Sequence, residues 1–149
     1  MSYANDVPTP TMTAELSSTL RMAVMRLARR LRAERTDTSL SLSQIAALGT
    51  VARLGPLTPG ELADAEKVQP PSMTRTVAAL EARGLVRRTP HPADRRQVLL
   101  RVTEEADQML RVDRQRRDAW LSQRLSELTQ EDRDKLRAAA EVLERLANS

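Results

Sequence analysis

Apolar residues recur every three or four positions at both ends of the chain, and this spacing predicts long amphipathic helices. Over residues 13–35 the apolar positions of one helical face are Leu16, Leu20, Val24, Leu27 and Leu31. Residues 104–148 divide into a helix running to about Leu125 and a last helix starting at Thr129, whose seam is formed by Leu136, Ala139, Leu143 and Leu146. One copy of the chain cannot easily bury these seams, so we expect dimerisation to cover them.

Capping residues mark two short helices in the middle of the chain. Ser41 and Gln44 form the pattern of a capping box, and the helix that they begin ends at Gly55. Thr58 is a favourable N-cap, and the proline after it suits a first helical turn. A second short helix is therefore predicted over about Pro59–Glu66.

A further helix is predicted between Pro70 and Gly84. The prolines at its start are tolerated only in a first turn, and the glycine can adopt the left-handed conformation that ends a helix. Its apolar positions, which we expect to be buried, are Met73, Val77 and Leu80. By its place in the helical repeat, Thr74 is expected nearer to this buried face than Ser72.

The segment after this helix has the pattern of a β-hairpin. Residues 85–89 and 97–102 are extended, apolar or β-branched stretches, and the loop between them contains two prolines and two adjacent arginines. The predicted fold is mainly α with a small β-hairpin wing. A winged helix-turn-helix at about residues 41–103 lies between long terminal dimerisation helices at about 13–35 and 104–148, within a single domain of residues 13–149. Residues 1–12 lack apolar periodicity and are predicted to be a mobile tail.

Composition excludes most enzyme chemistry. The chain has no cysteine and one histidine, His91, which lies between two prolines and is expected to be a loop residue. We therefore expect no metal site, no cofactor and no catalytic residues. The sequence has no apolar run long enough to span a membrane, and residues 1–13 lack the apolar stretch of a signal peptide. We expect a cytoplasmic protein.

The positive charge is concentrated in two segments, although the net charge of the chain is only +4. Residues 69–103 contain seven arginines and two acidic residues, and residues 21–35 contain six arginines and one acidic residue. Such clustering favours a polyanionic partner. For residues 21–35 a second interpretation stands beside DNA contact, because cations complement a helix C-terminus and arginine stems can cover apolar surface.

A helix-turn-helix followed by a basic hairpin suits double-stranded DNA. An α-helix fits the major groove, and its dipole and free backbone N–H groups favour phosphates near its start. Arginines on a hairpin can enter the minor groove. Each arginine that contacts a phosphate releases counterions, so we expect binding to weaken steeply with salt.

The residues of this region resemble the MarR family of winged-helix transcription regulators. The resemblance covers about residues 13–147 and is carried by four stretches, Leu57–Ala63, Ser72–Arg88, Pro92–Arg96 and Leu100–Thr103. It implies a homodimer joined through its terminal helices, with one recognition helix per subunit at each half of a near-palindromic operator, and usually repression. In such proteins a small molecule, often phenolic, or cysteine oxidation commonly relieves DNA binding. The lack of cysteine excludes the second route here.

The resemblance assigns site residues position by position. Recognition-helix contacts to DNA are predicted at Gln69, Ser72, Thr74, Arg75 and Thr76. Wing contacts are predicted at Arg87, Arg88, Asp94, Arg95 and Arg96, with Asp94 and Arg96 matching the family pattern of aspartate, any residue, arginine. Asp94 either holds a wing arginine through a charge-assisted bond or is a simple turn residue. Gln69 departs from the serine that commonly precedes the recognition helix, and it is a poor cap.

Two further points stay open from the sequence alone. Trp120 is either a packing residue of the core or dimer, or part of a pocket for a small-molecule effector. The winged helix is either a sequence-specific DNA-binding module or an interaction module that contacts protein or RNA without operator specificity. A small helical enzyme is a third class, but no nucleophile, metal site or paired acids can be assembled for it.

Overall fold

The computed structural model describes residues 9–149. Within them the chain forms the helices α1 (Pro10–Arg32), α2 (Leu42–Leu54), α3 (Pro59–Glu66), α4 (Pro70–Ala82), α5 (Glu104–Ser126) and α6 (Gln130–Ala147). The strands β1 (Val86–Pro90) and β2 (Val98–Val102) lie between α4 and α5. The predicted class, mainly α with a β-hairpin wing, is confirmed.

The first helix lies about three residues earlier in the sequence than predicted. Of the predicted mobile tail, residues 1–8 lie outside the described residues, and the assignment of residues 10–12 to that tail is wrong because α1 begins at Pro10. A proline at the first helical position needs no N–H partner, so it starts the helix. The end of α1 also comes earlier. Beyond it, the backbone N–H of Thr36 donates to the carboxylate of Asp113 at 2.9 Å, instead of to a helical carbonyl.

The chain forms two compact units. The central unit comprises Arg35–Arg116, and the terminal unit comprises the residues up to Glu34 together with Arg117–Ser149. The central unit therefore holds α2, α3, α4, the hairpin and the first half of α5, and the terminal unit holds α1, the second half of α5 and α6.

The hydrophobic core lies in the central unit, where α2 packs against α3, α4 and β2. Its fully buried side chains include Leu48, Leu62, Leu80 and Leu100. The two strands are antiparallel, and β2 is also joined to Leu57 through a pair of backbone hydrogen bonds with Leu100. Each element buries one apolar stripe against this core, so the segment from α3 to the hairpin is held on a rigid base.

The terminal unit is different because neither α1 nor α6 contains a buried residue. Both helices are amphipathic, and their large apolar side chains lie exposed on the surface of a single chain. On α1 these are Met12, Leu16, Met22, Val24, Met25 and Leu27, and on α6 they are Leu136, Val142, Leu143 and Leu146. This many large exposed apolar side chains on two helices are typical of an interaction site.

Candidate nucleic-acid interface

The helix-turn-helix is formed by α3, a three-residue turn and α4. The hydroxyl of Thr58 accepts the backbone N–H of Glu61 at 3.2 Å and starts α3, as the sequence predicts. α3 ends at Lys67, which adopts the left-handed conformation with φ 52° and ψ 44°. The backbone N–H of Val68 then donates to the carbonyl of Ala63, which closes the helix end and turns the chain into α4.

The two faces of α4 follow the predicted pattern at the apolar positions and at Ser72 and Arg75, but not at the threonines. Met73, Val77 and Leu80 are buried, while Ser72 and Arg75 are exposed. The prediction that Thr74 lies nearer to the buried face is wrong. Thr74 is exposed, whereas Thr76 is half-buried.

The hydrogen bonds of these side chains decide which of them can still donate to a ligand. The hydroxyl of Thr74 donates to the carbonyl of Pro70 at 3.0 Å, and that of Thr76 donates to the carbonyl of Ser72 at 3.1 Å. Within residues 9–149, the hydroxyl of Ser72 and the guanidinium of Arg75 form neither a hydrogen bond nor an ion pair. Ser72 and Arg75 are therefore the predicted α4 residues with uncommitted donors.

The start of α4 offers phosphates fewer donors than the sequence analysis predicts. Pro70 and Pro71 occupy the first turn and have no backbone N–H. The next backbone N–H, that of Ser72, donates to the carbonyl of Gln69 at 3.0 Å. Gln69 itself is the N-cap and forms no capping bond through its side chain. The expectation of free N–H groups at this helix start is thus wrong, and side chains must supply the contacts there.

The loop of the wing is organised by His91. Its ring Nδ1 accepts the backbone N–H groups of Ala93 and Asp94, both at 3.1 Å. The backbone N–H of His91 donates across the loop to the carbonyl of Gln97. The sequence predicts His91 in this loop but no role for it, because nothing in the local sequence indicates that a ring nitrogen accepts two main-chain donors.

Asp94 resolves one of the alternatives left open by the sequence. Its Oδ1 accepts the backbone N–H of Arg96 at 2.9 Å, and its backbone carbonyl accepts the N–H of Gln97. It forms no ion pair with a wing arginine in the part of the chain that the structure describes. The alternative in which Asp94 holds an arginine side chain is therefore wrong, and Asp94 is a turn residue that shapes the loop around the arginines.

The arginines of the wing differ in how far they are already engaged. Arg95 and Arg96 are exposed at the loop, and their guanidinium groups form no ion pair within residues 9–149. On β1, Arg88 instead donates its Nε to both carboxylate oxygens of Glu81 at 2.9 Å, which ties the wing to α4. Its neighbour Arg87 is exposed and lies on the other face of the strand. Arg88 therefore positions the wing, which the sequence analysis does not foresee.

A second arginine of the basic segment at residues 69–103 also has an acidic partner. The guanidinium of Arg83, at the end of α4, donates to Asp37 at 2.7 Å and to Ser39 at 2.8 Å. Hydrogen bonds from Ser39, together with Arg83, hold the pKa of the Asp37 carboxyl below its usual value. Among residues 69–103, all of them described, ion pairs thus neutralise Arg83 and Arg88, and the arginines left without an acidic partner are Arg75, Arg87, Arg95, Arg96 and Arg101.

Trp120 lies in the terminal unit and is half-buried. The guanidinium carbons of Arg30 and Arg124 lie 4.7 and 5.5 Å from its ring centre. Its Nε1 is buried and has no hydrogen-bond partner within residues 9–149.

No group of acidic or histidine side chains in residues 9–149 could hold a metal ion, and no described helix is long and apolar enough to cross a membrane.

Comparisons with known proteins agree with this architecture. The model of the MarR family matches residues 40–98. An uncharacterized HTH-type transcriptional regulator of Mycobacterium bovis, Mb0904, is 48% identical over 130 residues, which cover 87% of this chain and 91% of the relative. The chain belongs to the MarR family. A relative of this identity and coverage, together with the family match over the helix-turn-helix, establishes the family.

Two solved structures resemble this MarR-family protein in fold. A transcriptional regulator of Pseudomonas aeruginosa PA01 superposes with a TM-score of 0.84 at 33% identity, covering 95% of this chain and 99% of that one. FabT of Streptococcus pneumoniae, solved in complex with DNA, has a TM-score of 0.68 at 16% identity, covering 95% and 98%. The family assignment confirms the prediction of a transcriptional regulator rather than an enzyme.

Proposed function

We propose that this protein is a cytoplasmic homodimeric repressor that binds double-stranded DNA at a near-palindromic operator. The observation that carries the proposal is the set of exposed arginines without an acidic partner on two neighbouring elements of the central unit, Arg75 on α4 and Arg95 and Arg96 on the wing. In the proposal, Ser72 and Arg75 contact base edges and phosphates in the major groove, and the wing arginines enter the minor groove. FabT, a protein of the same fold, was solved in complex with DNA, which supports DNA binding by this protein.

The remaining predicted site residues support these contacts. Gln69 lies exposed at the N-cap of α4, and the oxygens of Thr74 and Thr76 can still accept a hydrogen bond. Asp94 shapes the wing loop, and Arg88 ties the wing to α4. Arg87, exposed on β1, is free to contact a phosphate.

The wing is tested by replacing both of its loop arginines. We expect Arg95→Ala/Arg96→Ala to weaken binding to all sequences and to lower the salt slope by about two, because each lost phosphate contact lowers it by about one. The target DNA is first selected from a random pool, and affinity is then measured by fluorescence anisotropy between about 50 and 200 mM salt, a range that resolves such slopes. Arg114→Ala/Arg145→Ala, which removes one exposed arginine of α5 and one of α6, is the matched control for net charge. Unchanged affinity and slope in the double variant would remove the wing from the interface.

The recognition helix gives a different signature in the same assay. Arg75→Ala is expected to lose about 1–3 kcal/mol of binding free energy on the selected sequence and little on unrelated DNA, because a base contact is sequence-selective.

The alternative function is an interaction module for protein or RNA. It predicts no preference for the selected DNA over random DNA at physiological salt.

The homodimer is supported by the exposed apolar faces of α1 and α6. An isolated helix is only marginally stable in water, and most helical stability comes from packing an apolar face. Neither helix buries a residue within one chain. A second copy of the same faces, related by a two-fold axis, would cover both and would present two recognition helices to the two halves of an operator.

A small-molecule effector is the remaining part of the proposal, and Trp120 is its candidate contact. The buried Nε1–H of Trp120 lacks an acceptor within the described residues, and a carboxylate or phenolic oxygen of a ligand would supply one. We expect small aromatic acids to change the fluorescence of Trp120, which is the sole tryptophan of the chain, and to weaken DNA binding at the same concentrations. If these acids change neither the fluorescence nor the DNA affinity of the wild type, and a Trp120→Phe variant keeps its fold, Trp120 is a packing residue.

A further inference from the structure

Two arginines lie directly opposite each other on the strands of the wing. In the antiparallel register, Arg87 on β1 pairs with Arg101 on β2. Side chains at such a pair point to the same face of the hairpin, with their Cβ atoms about 5 Å apart. Like charges in this arrangement destabilise a sheet, so the pair costs folding free energy unless an anion lies between them.

No acidic side chain relieves this repulsion in the structure. Neither arginine forms an ion pair within residues 9–149, and the nearby carboxylate of Glu81 is engaged by Arg88 on the opposite face of β1. The Nε of Arg101 donates to the hydroxyl of Thr89 at 3.2 Å, which holds this guanidinium in a fixed direction but adds no charge. Its terminal nitrogens stay uncommitted.

The two arginines border a recess of about 190 Å³ together with the C-terminal end of α2 around Gly55. Carbonyl groups at a helix C-terminus attract cations, and this is the alternative reason for arginines here. The dipole of a helix, however, is equivalent to only about half a negative charge at that end. It offsets about a quarter of the charge of two guanidinium groups, so most of the positive charge is left for an external anion.

We propose that Arg87 and Arg101 form a two-guanidinium site for a single phosphate of the DNA backbone. This inference rests on the proposed function, and it adds Arg101 to the interface. The pair lies three register positions from Pro90 and Val98, the last pair before the loop, which corresponds to about 10 Å along the strands. That length matches about three base-pair steps along a DNA strand. With the wing loop inserted in the minor groove, the hairpin face that carries Arg87 and Arg101 would thus lie beside the DNA backbone that flanks the groove.

The site predicts opposite effects on stability and on binding. Replacing either arginine, in Arg87→Gln or Arg101→Gln, removes the repulsion, so at low ionic strength each variant should melt at or above the temperature of the wild type. The same variants should bind the selected DNA about threefold to tenfold more weakly. Because both guanidinium groups hold one phosphate, the double variant should lower the salt slope by about one and not by two.

The experiment combines thermal melting with DNA anisotropy on the full chain. The two single variants are compared with Arg114→Gln, and the double variant with Arg114→Gln/Arg145→Gln, as charge-matched controls at exposed arginines of α5 and α6. Melting is repeated with inorganic phosphate against chloride at equal ionic strength, and we expect phosphate to raise the melting temperature of the wild type more than that of Arg101→Gln.

The outcomes separate this inference from the proposed function. If the wild type binds no DNA, the proposed function fails and the DNA contact of the pair fails with it. If the wild type binds DNA and Arg101→Gln binds equally tightly with an unchanged slope, only the inference is overturned. If inorganic phosphate raises the melting temperature of the wild type but the variants bind DNA as tightly as the wild type, the pair is a site for small anions, and the DNA contact is likewise overturned.

Discussion

Placing a carboxylate in the apolar faces of both α1 and α6 is expected to convert the protein into a monomer that binds its operator at least a hundredfold more weakly. In the variant Leu16→Glu/Leu143→Glu, both leucines are exposed within one chain, so a fold of a single chain would tolerate the change. Across a dimer interface the new charges would be desolvated, at a large cost. Two linked recognition helices gain about 10² to 10⁴ over one through effective concentration, and a monomer loses this gain.

A matched control adds the same two carboxylates to the opposite faces of the same helices. Ser18 and Ala138 are exposed and lie about 140–160° around their helices from Leu16 and Leu143, so Ser18→Glu/Ala138→Glu should remain a dimer and keep most of its affinity. Sedimentation at micromolar concentration reports the oligomeric state, and anisotropy on full operators and half-sites reports binding. A wild type that sediments as a monomer, or a Leu16→Glu/Leu143→Glu variant that sediments as a dimer, would contradict the proposed assembly.

Removing the buried carboxylate of α5 is expected to cause a large loss of stability. Asp113 is 1% exposed and accepts both the backbone N–H of Thr36 at 2.9 Å and the hydroxyl of the same residue at 2.8 Å. Hydrogen bonds to charged groups contribute about 1.5–3 kcal/mol each, and the donors of Thr36 would lose their acceptor. We expect Asp113→Ala to lower the free energy of unfolding by about 3 kcal/mol, measured by urea denaturation at a fixed protein concentration.

The same substitution at an exposed position of the same helix is the control. Asp107 pairs with Arg111 at 2.7 Å, but the side chains of both residues are 44% and 64% exposed, respectively. Exposed ion pairs contribute little, so Asp107→Ala should change stability by about 0.5 kcal/mol. Thr36→Val, which removes the hydroxyl and keeps the backbone donor, should lie between the two. Equal stability of the two aspartate variants would show that Asp113 is not an anchor of the segment before α2.

The sequence predicts the elements of the central unit closely because their limits are set by neighbouring residues. Ser41 and Gln44 form both bonds of the predicted capping box, and the helix predicted over about Pro59–Glu66 has these bounds in α3. Gly84 adopts a positive φ of 69° after α4. Caps, first-turn prolines and helix-ending glycines act within about four residues, so a single sequence carries them completely.

The sequence by itself also determined the family, the excess of arginine in residues 69–103 and the exposed α4 residues Ser72 and Arg75. Only the tertiary structure decided which arginines are free. Arg83 is neutralised by Asp37, which lies 46 positions earlier, and Arg101 stands opposite Arg87 through strand register. Such pairings depend on how packed elements align, and they obey no local spacing rule. The charge of the basic segment is therefore a property of its sequence, whereas the charge that it can offer to DNA is a property of its fold.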